Sequence, residues 1–232
     1  MSATGSTQAS PGLISGTVLP AGKQQDLFGG MITMNLPGSY QNWSDMVQAE
    51  DNQEVFKEPD HNISVVVELL DWVDTDGSPD DPDNNAKAMV QHMSDITDGD
   101  KVLGATITAI DGTDSPVKVT DNVGAKHPTY TTTLIIDYQT GTYKRDDRTP
   151  KDAIPEFTII CAALIRYTFP QEHSRDTDIM VTVNAKHFPS GDSEASGDQR
   201  GSKKELALRT RNMILESFRV VDEDLFAPQT DP

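Results

Sequence analysis

The sequence has little cysteine and little positive charge. Cys161 is the only cysteine among 232 residues, which excludes an internal disulfide and any metal cluster built on cysteine. Lys and Arg number 19 against 37 Asp and Glu, so the formal net charge is −18 at pH 7. Because affinity for nucleic acid depends on Lys and Arg displacing counterions from phosphates, we expect no direct binding of DNA or RNA.

Long apolar runs are also missing. No run approaches the ~20 residues that a membrane-spanning helix requires, and an anionic membrane surface would repel so acidic a chain. Residues 1–25 lack a basic stretch followed by an apolar core, so they do not resemble a secretory signal. We therefore expect an intracellular protein whose acidic surface suits a basic protein partner.

The sequence does contain many short segments rich in β-branched residues, which are typical of strands. Strands are predicted at residues 31–36, 55–56, 63–70, 102–110, 130–138, 157–167 and 179–183. One helix is predicted at residues 86–96, with Asp83 as its N-cap. A second is predicted from a capping box at Ser202–Glu205 as far as Val221.

This order of elements predicts an α+β fold: a mainly antiparallel sheet of about six strands flanked by helices. Residues 1–25 are rich in Ser, Thr, Gly and Ala and are predicted to form a flexible N-terminal tail. Residues 26–228 are predicted to form a single domain. Its polar loops are expected near residues 73–83, 139–155 and 189–201.

Sequence motifs of common enzymes and metal sites are absent. There is no P-loop, no GxSxG nucleophile elbow and no HExxH zinc helix, and the five histidines are scattered, so we expect them on the surface or in loops. An EF-hand register built on Gly77 would place Trp72 where a carboxylate is needed. We therefore predict no metal, no cofactor and no catalytic residue. A hydrolase with a carboxylate pair stays open as an alternative.

One acidic segment, residues 44–56, has no cation closer than Lys57. Its acidic residues are Asp45, Glu50, Asp51 and Glu54. Carboxylates this dense repel one another, so a fold tolerates them when they are exposed or when a partner supplies positive charge. Two interpretations remain: a solvated turn in which Asp51 and Asn52 bond the local backbone, or a binding surface for a basic protein.

Residues 27–56, LFGGMITMNLPGSYQNWSDMVQAEDNQEVF, resemble the N-terminal signature of the Mog-type Ran-binding proteins, also called Ran guanine nucleotide release factors. Further blocks agree with the family: ISVVVELLDW at 63–72, AALIRYTF and DTDIMVTVN within 162–184, and FRVVDEDLF at 218–226. DNQEVF is the most specific of these elements, and residues 73–155 match only in pattern. The resemblance implies a Mog/PsbP-like sandwich, in which a mainly antiparallel sheet is flanked by helices.

The resemblance also implies a function. It implies a cofactor-free, non-catalytic protein that binds the small GTPase Ran, promotes release of its bound guanine nucleotide and supports nuclear protein import. Ran is the implied partner, and the chromatin-bound Ran exchange factor is a further candidate. We expect a monomer located in the nucleus and also in the cytoplasm. A passive acidic scaffold for another basic protein is the alternative.

By match to the family motif, Asp51 and Glu54 are implied to carry Ran binding. Gln53 lies between them, and Asn42 and Asp45 lie shortly before them in the sequence. Several family members have an acidic residue at the position of Asn42, and we expect Asp45 to substitute for it here. Trp43 and Phe56 are candidate apolar anchors, with core packing the favoured interpretation of Phe56.

Overall fold

A computed structural model of the chain describes residues 21–60, 62–75, 77, 82–98, 106–110, 129–139, 155–168, 176–188 and 196–226. The strands are β1 (Gly22–Leu27), β2 (Ile32–Pro37), β3 (Gln41–Asn42), β4 (Gln53–Glu58), β5 (Ile63–Asp71), β6 (Thr106–Ile110), β7 (Thr129–Gln139), β8 (Phe157–Tyr167), β9 (Thr177–His187) and β10 (Arg219–Val220). The helices are α1 (Ser44–Val47), α2 (Pro82–Asp98) and α3 (Ser196–Ser217), and short 3-10 helices lie at Phe28–Gly30 and Glu223–Phe226.

The strands form two sheets in which every described pair is antiparallel. A seven-stranded sheet has the order β3-β4-β5-β9-β8-β7-β6, and a three-stranded sheet has the order β1-β2-β10. The prediction of an α+β fold with a mainly antiparallel sheet is confirmed. The large sheet has seven strands rather than about six because Gln41 and Asn42 add a short edge strand to β4.

The centre of the large sheet consists of apolar strands that are covered on both faces. Every residue of β8 is buried, and most of β9 is buried as well. Side chains alternate between the two faces along a strand, so Cys161 and Ile165 enter one core while Ile160 and Leu164 enter the other. Continuous apolar sequence in β8 therefore reflects burial on two sides.

Two layers cover the large sheet. On one face, the core includes residues of the small sheet and of α3, such as Leu27, Ile32 and Ile214. On the other face, Ala88 and Met89 of α2 pack against residues of the central strands. The arrangement leaves the β3–β4 end of the large sheet, with the acidic segment, at the surface.

The second predicted helix both begins and ends earlier than its sequence indicated. Its predicted end at Val221 was wrong, because α3 stops at Ser217 and Arg219–Val220 pair with β2 as β10. α3 starts at Ser196, so the prediction that Ser202–Glu205 caps its N-terminus was wrong, and these residues lie inside the helix. Arg200 on this additional stretch donates from Nε to both carboxylate oxygens of Asp137 in β7, at 3.0 and 2.9 Å. This tertiary ion pair anchors the early turns to the sheet, which a local capping pattern does not reveal.

Other predicted boundaries also moved. α2 begins at Pro82, a residue suited to the first helical position, so Asp83 lies in the first turn rather than at the N-cap. β1 begins at Gly22 and therefore takes the last residues of the predicted tail into the small sheet, whereas residues 1–20 lie outside the described residues. Of the loops predicted near 73–83 and 139–155, residues 76, 78–81 and 140–154 lie outside the described residues. The loop predicted near 189–201 was wrong at its end, because residues 196–201 belong to α3. No described helix is long and apolar enough to cross a membrane.

Candidate functional site: a surface organised by Glu54

The acidic segment folds as a compact excursion between β3 and β4, two neighbouring strands of the large sheet. The backbone N–H of Trp43 donates to the carbonyl of Val55 at 2.7 Å, which closes the base of the excursion. α1 provides one helical turn and is followed by Gln48, whose φ of 53° is the left-handed conformation common after helices. The backbone N–H of Gln53 then donates to the carbonyl of Glu50 at 2.9 Å, and β4 begins.

The carboxylate of Glu54 accepts three hydrogen bonds at the centre of this surface. Its Oε1 accepts from the backbone N–H of Phe28 at 3.0 Å. Its Oε2 accepts from Nδ2 of Asn42 at 3.1 Å and from Oγ of Ser44 at 2.8 Å. Through these bonds Glu54 connects the Phe28–Gly30 turn to the start of α1. Hydrogen bonds to a charged group contribute roughly 1.5–3 kcal/mol each.

Ser44 and Asn42 connect this carboxylate to the backbone of the excursion. Oγ of Ser44 also accepts from the backbone N–H of Val55 at 2.9 Å, and Oδ1 of Asn42 accepts from the backbone N–H of Ser44 at 2.8 Å. Both polar atoms of the Asn42 amide are therefore engaged within the chain. Ser44 was not among the residues that the sequence singled out.

The Phe28–Gly30 turn has an unusual backbone. Phe28, Gly29 and Gly30 all have positive φ, at 50°, 69° and 93°. Glycine adopts such angles freely, whereas for a bulky residue such as Phe28 a left-handed conformation costs of order 1–3 kcal/mol. The hydrogen bond from Phe28 to Glu54 helps to hold this conformation, so the LFGG and DNQEVF blocks of the sequence meet at one contact.

The remaining predicted site residues have different surroundings. Asp45 and Asp51 are exposed, and neither forms a side-chain hydrogen bond or an ion pair with the described residues. Gln53 donates from Nε2 to Oε1 of Glu68 at 2.6 Å on β5. Burial raises the pKa of the Glu68 carboxyl group, and the hydrogen bond from Gln53 opposes that rise. Gln53 is thus committed to the sheet, whereas the two aspartates face solvent.

The candidate apolar anchors also differ. Phe56 is 1% exposed and belongs to the core, as the favoured interpretation of its sequence position predicted. Trp43 is half-buried, and Nζ of Lys57 lies 4.4 Å from the centroid of its ring. This distance is within the range of a cation–π contact. The first cation after the acidic segment therefore stacks on Trp43 instead of pairing with Asp45 or Asp51.

A second polar cluster lies buried between α2 and the large sheet. Nε of Arg166 donates to Oδ1 of Asp178 at 2.9 Å, while Nε2 of His92 lies 2.8 Å from Oδ2 of the same carboxylate. A further guanidinium nitrogen of Arg166 donates to the carbonyl of Val73 at 2.6 Å, and the guanidinium carbon lies 3.7 Å from the centroid of the Trp72 ring. These contacts connect α2 to β8, to β9 and to the segment that follows β5, which is a structural role.

The prediction that all histidines lie at the surface or in loops was wrong for two of them. His92 is buried beside Asp178, and His187 is buried in β9, where its ring stacks on that of Phe157 at 4.8 Å. Each ring contacts a residue that is distant in sequence, and the positions of the histidines in the sequence do not reveal these contacts. His61, His127 and His173 lie outside the described residues. Among the residues that are described, no three His, Cys, Asp or Glu side chains are grouped as metal ligands would be.

The fold is similar to that of solved structures. The crystal structure of the Saccharomyces cerevisiae Ran-binding protein Mog1p matches with a TM-score of 0.60 and 19% sequence identity, covering 90% of this chain and 100% of that chain. A mutant of protein Mog1 matches with a TM-score of 0.57 and 18% identity, covering 89% and 100%. The solution structure of PsbP from the cyanobacterium Synechocystis gives 0.43 and 12%, covering 90% and 98%. The two Mog1 structures show that the chain has the Mog1p fold, which is α+β.

The sequence places the chain more narrowly. The family model described as "Ran-interacting Mog1 protein" matches residues 25–186, which is more than half of the chain. The chain belongs to this family, and the resemblance seen in LFGG, DNQEVF and the blocks up to residue 184 is confirmed. The block at residues 218–226 lies beyond the matched region and stays a prediction. A separate search of curated proteins found no match.

Proposed function

We propose that this protein binds the GTPase Ran through the surface formed by β3, α1 and the turn before β4, and that it promotes release of Ran's bound guanine nucleotide. One observation supports the site: Asp45 and Asp51 are exposed without partners among the described residues, on an excursion that Glu54 holds in place. Membership of a family described as Ran-interacting supports the identity of the partner.

The acidic residues divide into two roles under this proposal. Asp51 and Asp45 supply negative charge directly to basic residues of Ran. Glu54 has its carboxylate occupied by Phe28, Asn42 and Ser44, so it acts mainly by positioning the surface. This modifies the expectation, implied by the family motif, that Asp51 and Glu54 contact Ran in the same way.

The contact between Asn42 and Glu54 also explains how this chain tolerates a departure from the family. Nδ2 of Asn42 lies 3.1 Å from Oε2 of Glu54. A carboxylate in place of that amide would repel Glu54 at this distance. Asp45, exposed three residues later, provides an acidic group on the same excursion without this conflict.

Nucleotide release follows from linkage. A protein that binds the nucleotide-free form of a GTPase more tightly than the loaded form lowers nucleotide affinity by the same factor. GTPases hold nucleotide through a P-loop lysine and Mg²⁺. A charge-assisted hydrogen bond that a basic residue near that site donates to Asp51 only in the nucleotide-free form, contributing about 1.5–3 kcal/mol, would favour that form roughly 10- to 100-fold. We also propose that the protein supports nuclear import, and that it is a monomer present in the nucleus and in the cytoplasm.

The experiment uses Ran loaded with a fluorescent guanine nucleotide and an excess of unlabelled nucleotide. We expect increasing amounts of the protein to accelerate loss of fluorescence, and Asp51→Lys to reduce this effect at least 10-fold. Asp60→Lys is the matched control, because Asp60 is an exposed acid beyond the opposite end of β4. Unchanged release across the titration would contradict the proposal. Ran binding without faster release would contradict the release step alone. If Ran did not bind, the alternative of a passive acidic scaffold for another basic protein would be favoured.

A further inference from the structure

α1 carries two neighbouring apolar side chains that face solvent. Met46 is 68% exposed and Val47 is 41% exposed. The other large apolar side chains exposed within the described residues, Val90 and Val221, lie on α2 and after β10. A single exposed apolar residue is ordinary, but an adjacent pair within the proposed binding surface favours a role in association.

The backbone beneath this pair is ordered before any partner arrives. The N–H of Val47 donates to the carbonyl of Trp43 at 3.0 Å, and the N–H of Ala49 donates to the carbonyl of Ser44 at 3.0 Å. The Ser44 side chain is in turn held by Glu54. Because the backbone is already fixed, binding through Met46 would lose little backbone entropy, so the main entropic loss would be the rotamer freedom of the Met46 side chain.

The charged residues around Met46 and Val47 indicate which kind of partner surface these two side chains fit. Asp45 precedes Met46, and Glu50 and Asp51 follow Val47, while Lys57 is stacked on Trp43. An apolar centre with a charged rim is the usual anatomy of a protein interface. The complementary surface must therefore be an apolar depression edged by Lys or Arg.

We propose that Met46 and Val47 form the apolar centre of the partner-binding surface and insert into such a depression, while Asp45 and Asp51 pair with the basic residues at its edge. This inference rests on the proposed function, so the partner to be tested is Ran. Apolar side chains at the centre of an interface commonly carry much of its affinity, and charged groups at the rim contribute specificity and association rate.

The experiment measures affinity of the full chain for nucleotide-free Ran at about 0.1 M and at about 0.5 M salt. Met46→Ala should weaken binding about 10-fold at both salt concentrations, because an apolar contact is not screened. Asp51→Asn should weaken binding strongly only at the lower salt concentration. Added salt shortens the Debye length from about 10 Å toward 3–5 Å and so screens the charge of Asp51. Met46→Leu, which stays apolar, should retain near wild-type affinity.

Val221→Ala is the matched control, since Val221 is 63% exposed outside this surface, and it should leave affinity unchanged. If wild-type protein binds Ran but Met46→Ala binds equally well, the inference is overturned and the proposed function stands. If wild-type protein does not bind Ran, both are overturned. A loss in Met46→Ala that high salt removes would also contradict an apolar contact.

Discussion

Arg166 and Asp178 face each other across neighbouring strands and form an ion pair almost without solvent exposure. They are register partners of β8 and β9, their Nε and Oδ1 atoms lie 2.9 Å apart, and their residues are 1% and 0% exposed. Asp178 also accepts from the backbone N–H of Val73 at 3.0 Å and lies beside His92. Replacing either residue would leave the other one buried without its partner, which destabilises the fold.

Asp178→Asn should therefore destabilise the protein by about 3–5 kcal/mol, because it leaves the Arg166 charge buried without a counter-ion. The measurement is the free energy of unfolding in urea. Glu205→Gln is the control: it removes the partly exposed Arg209–Glu205 pair on α3 and should cost about 0.5 kcal/mol or less. Similar unfolding midpoints for the two variants would contradict a structural role for the buried pair.

Glu54→Lys should loosen the Phe28–Gly30 turn while the central strands remain folded. The substitution removes the acceptor of the Phe28 amide and of two side chains, so that amide should lose protection from hydrogen exchange. Amides of β8 and β9 should keep theirs. Val90→Lys, on the exposed side of α2, is a suitable control for the added charge. A Phe28 amide that stays protected in Glu54→Lys would show that the turn is held by other contacts.

Cys161 should be unreactive in the native protein. Burial raises the pKa of its thiol to about 11, and its residue is 0% exposed. A thiol reagent at pH 8 should therefore label the chain only after unfolding, when one thiol per chain becomes available. Labelling in 6 M guanidinium provides the reference amplitude. Rapid labelling under native conditions would place the thiol within reach of solvent.

Glu68→Gln should raise the melting temperature at neutral pH. Burial raises the pKa of the Glu68 carboxyl group, so the folded state disfavours its charged form relative to the unfolded state. That penalty is present at pH 7 and disappears as pH falls through the folded pKa, because Glu68 then takes up a proton in the folded state first. The advantage of Glu68→Gln should shrink accordingly between pH 7 and pH 4. Asp60→Asn, which removes the charge of an exposed acid, is the control for the change in net charge.

The strands were predictable because their sequences carry their own signal. Residues 63–70 and 157–167 are β-branched or apolar over most of their length, and the structure has strands Ile63–Asp71 and Phe157–Tyr167 there. The start of α3 was not predictable, since it depends on the distant contact between Arg200 and Asp137. Local patterns contain no information about which residues the fold brings together.

The same limit applies to the candidate site. The sequence singled out the acidic segment, and the family resemblance implied equivalent roles for Asp51 and Glu54; both stay predictions. The structure separates them through a contact to Phe28, 26 residues away, that occupies the carboxylate of Glu54 and leaves Asp51 in solvent. The Arg166–Asp178 pair was missed for a related reason: each residue type is usually exposed, and only the register of β8 and β9 shows that they meet.

The three-stranded sheet has a consequence for the order in which the protein can be completed during synthesis. Its central strand β2 pairs with β10, and the N–H of Asn35 donates to Oγ of Ser217 across 182 residues. At about 5–20 residues per second, a ribosome needs roughly 10–40 s to make the intervening chain. Until then β2 has an open edge, and the carbonyl of Met31, just after the Phe28–Gly30 turn, lacks its donors Val221 and Asp222. The small sheet is therefore completed late, after the described strands of the large sheet have been synthesised.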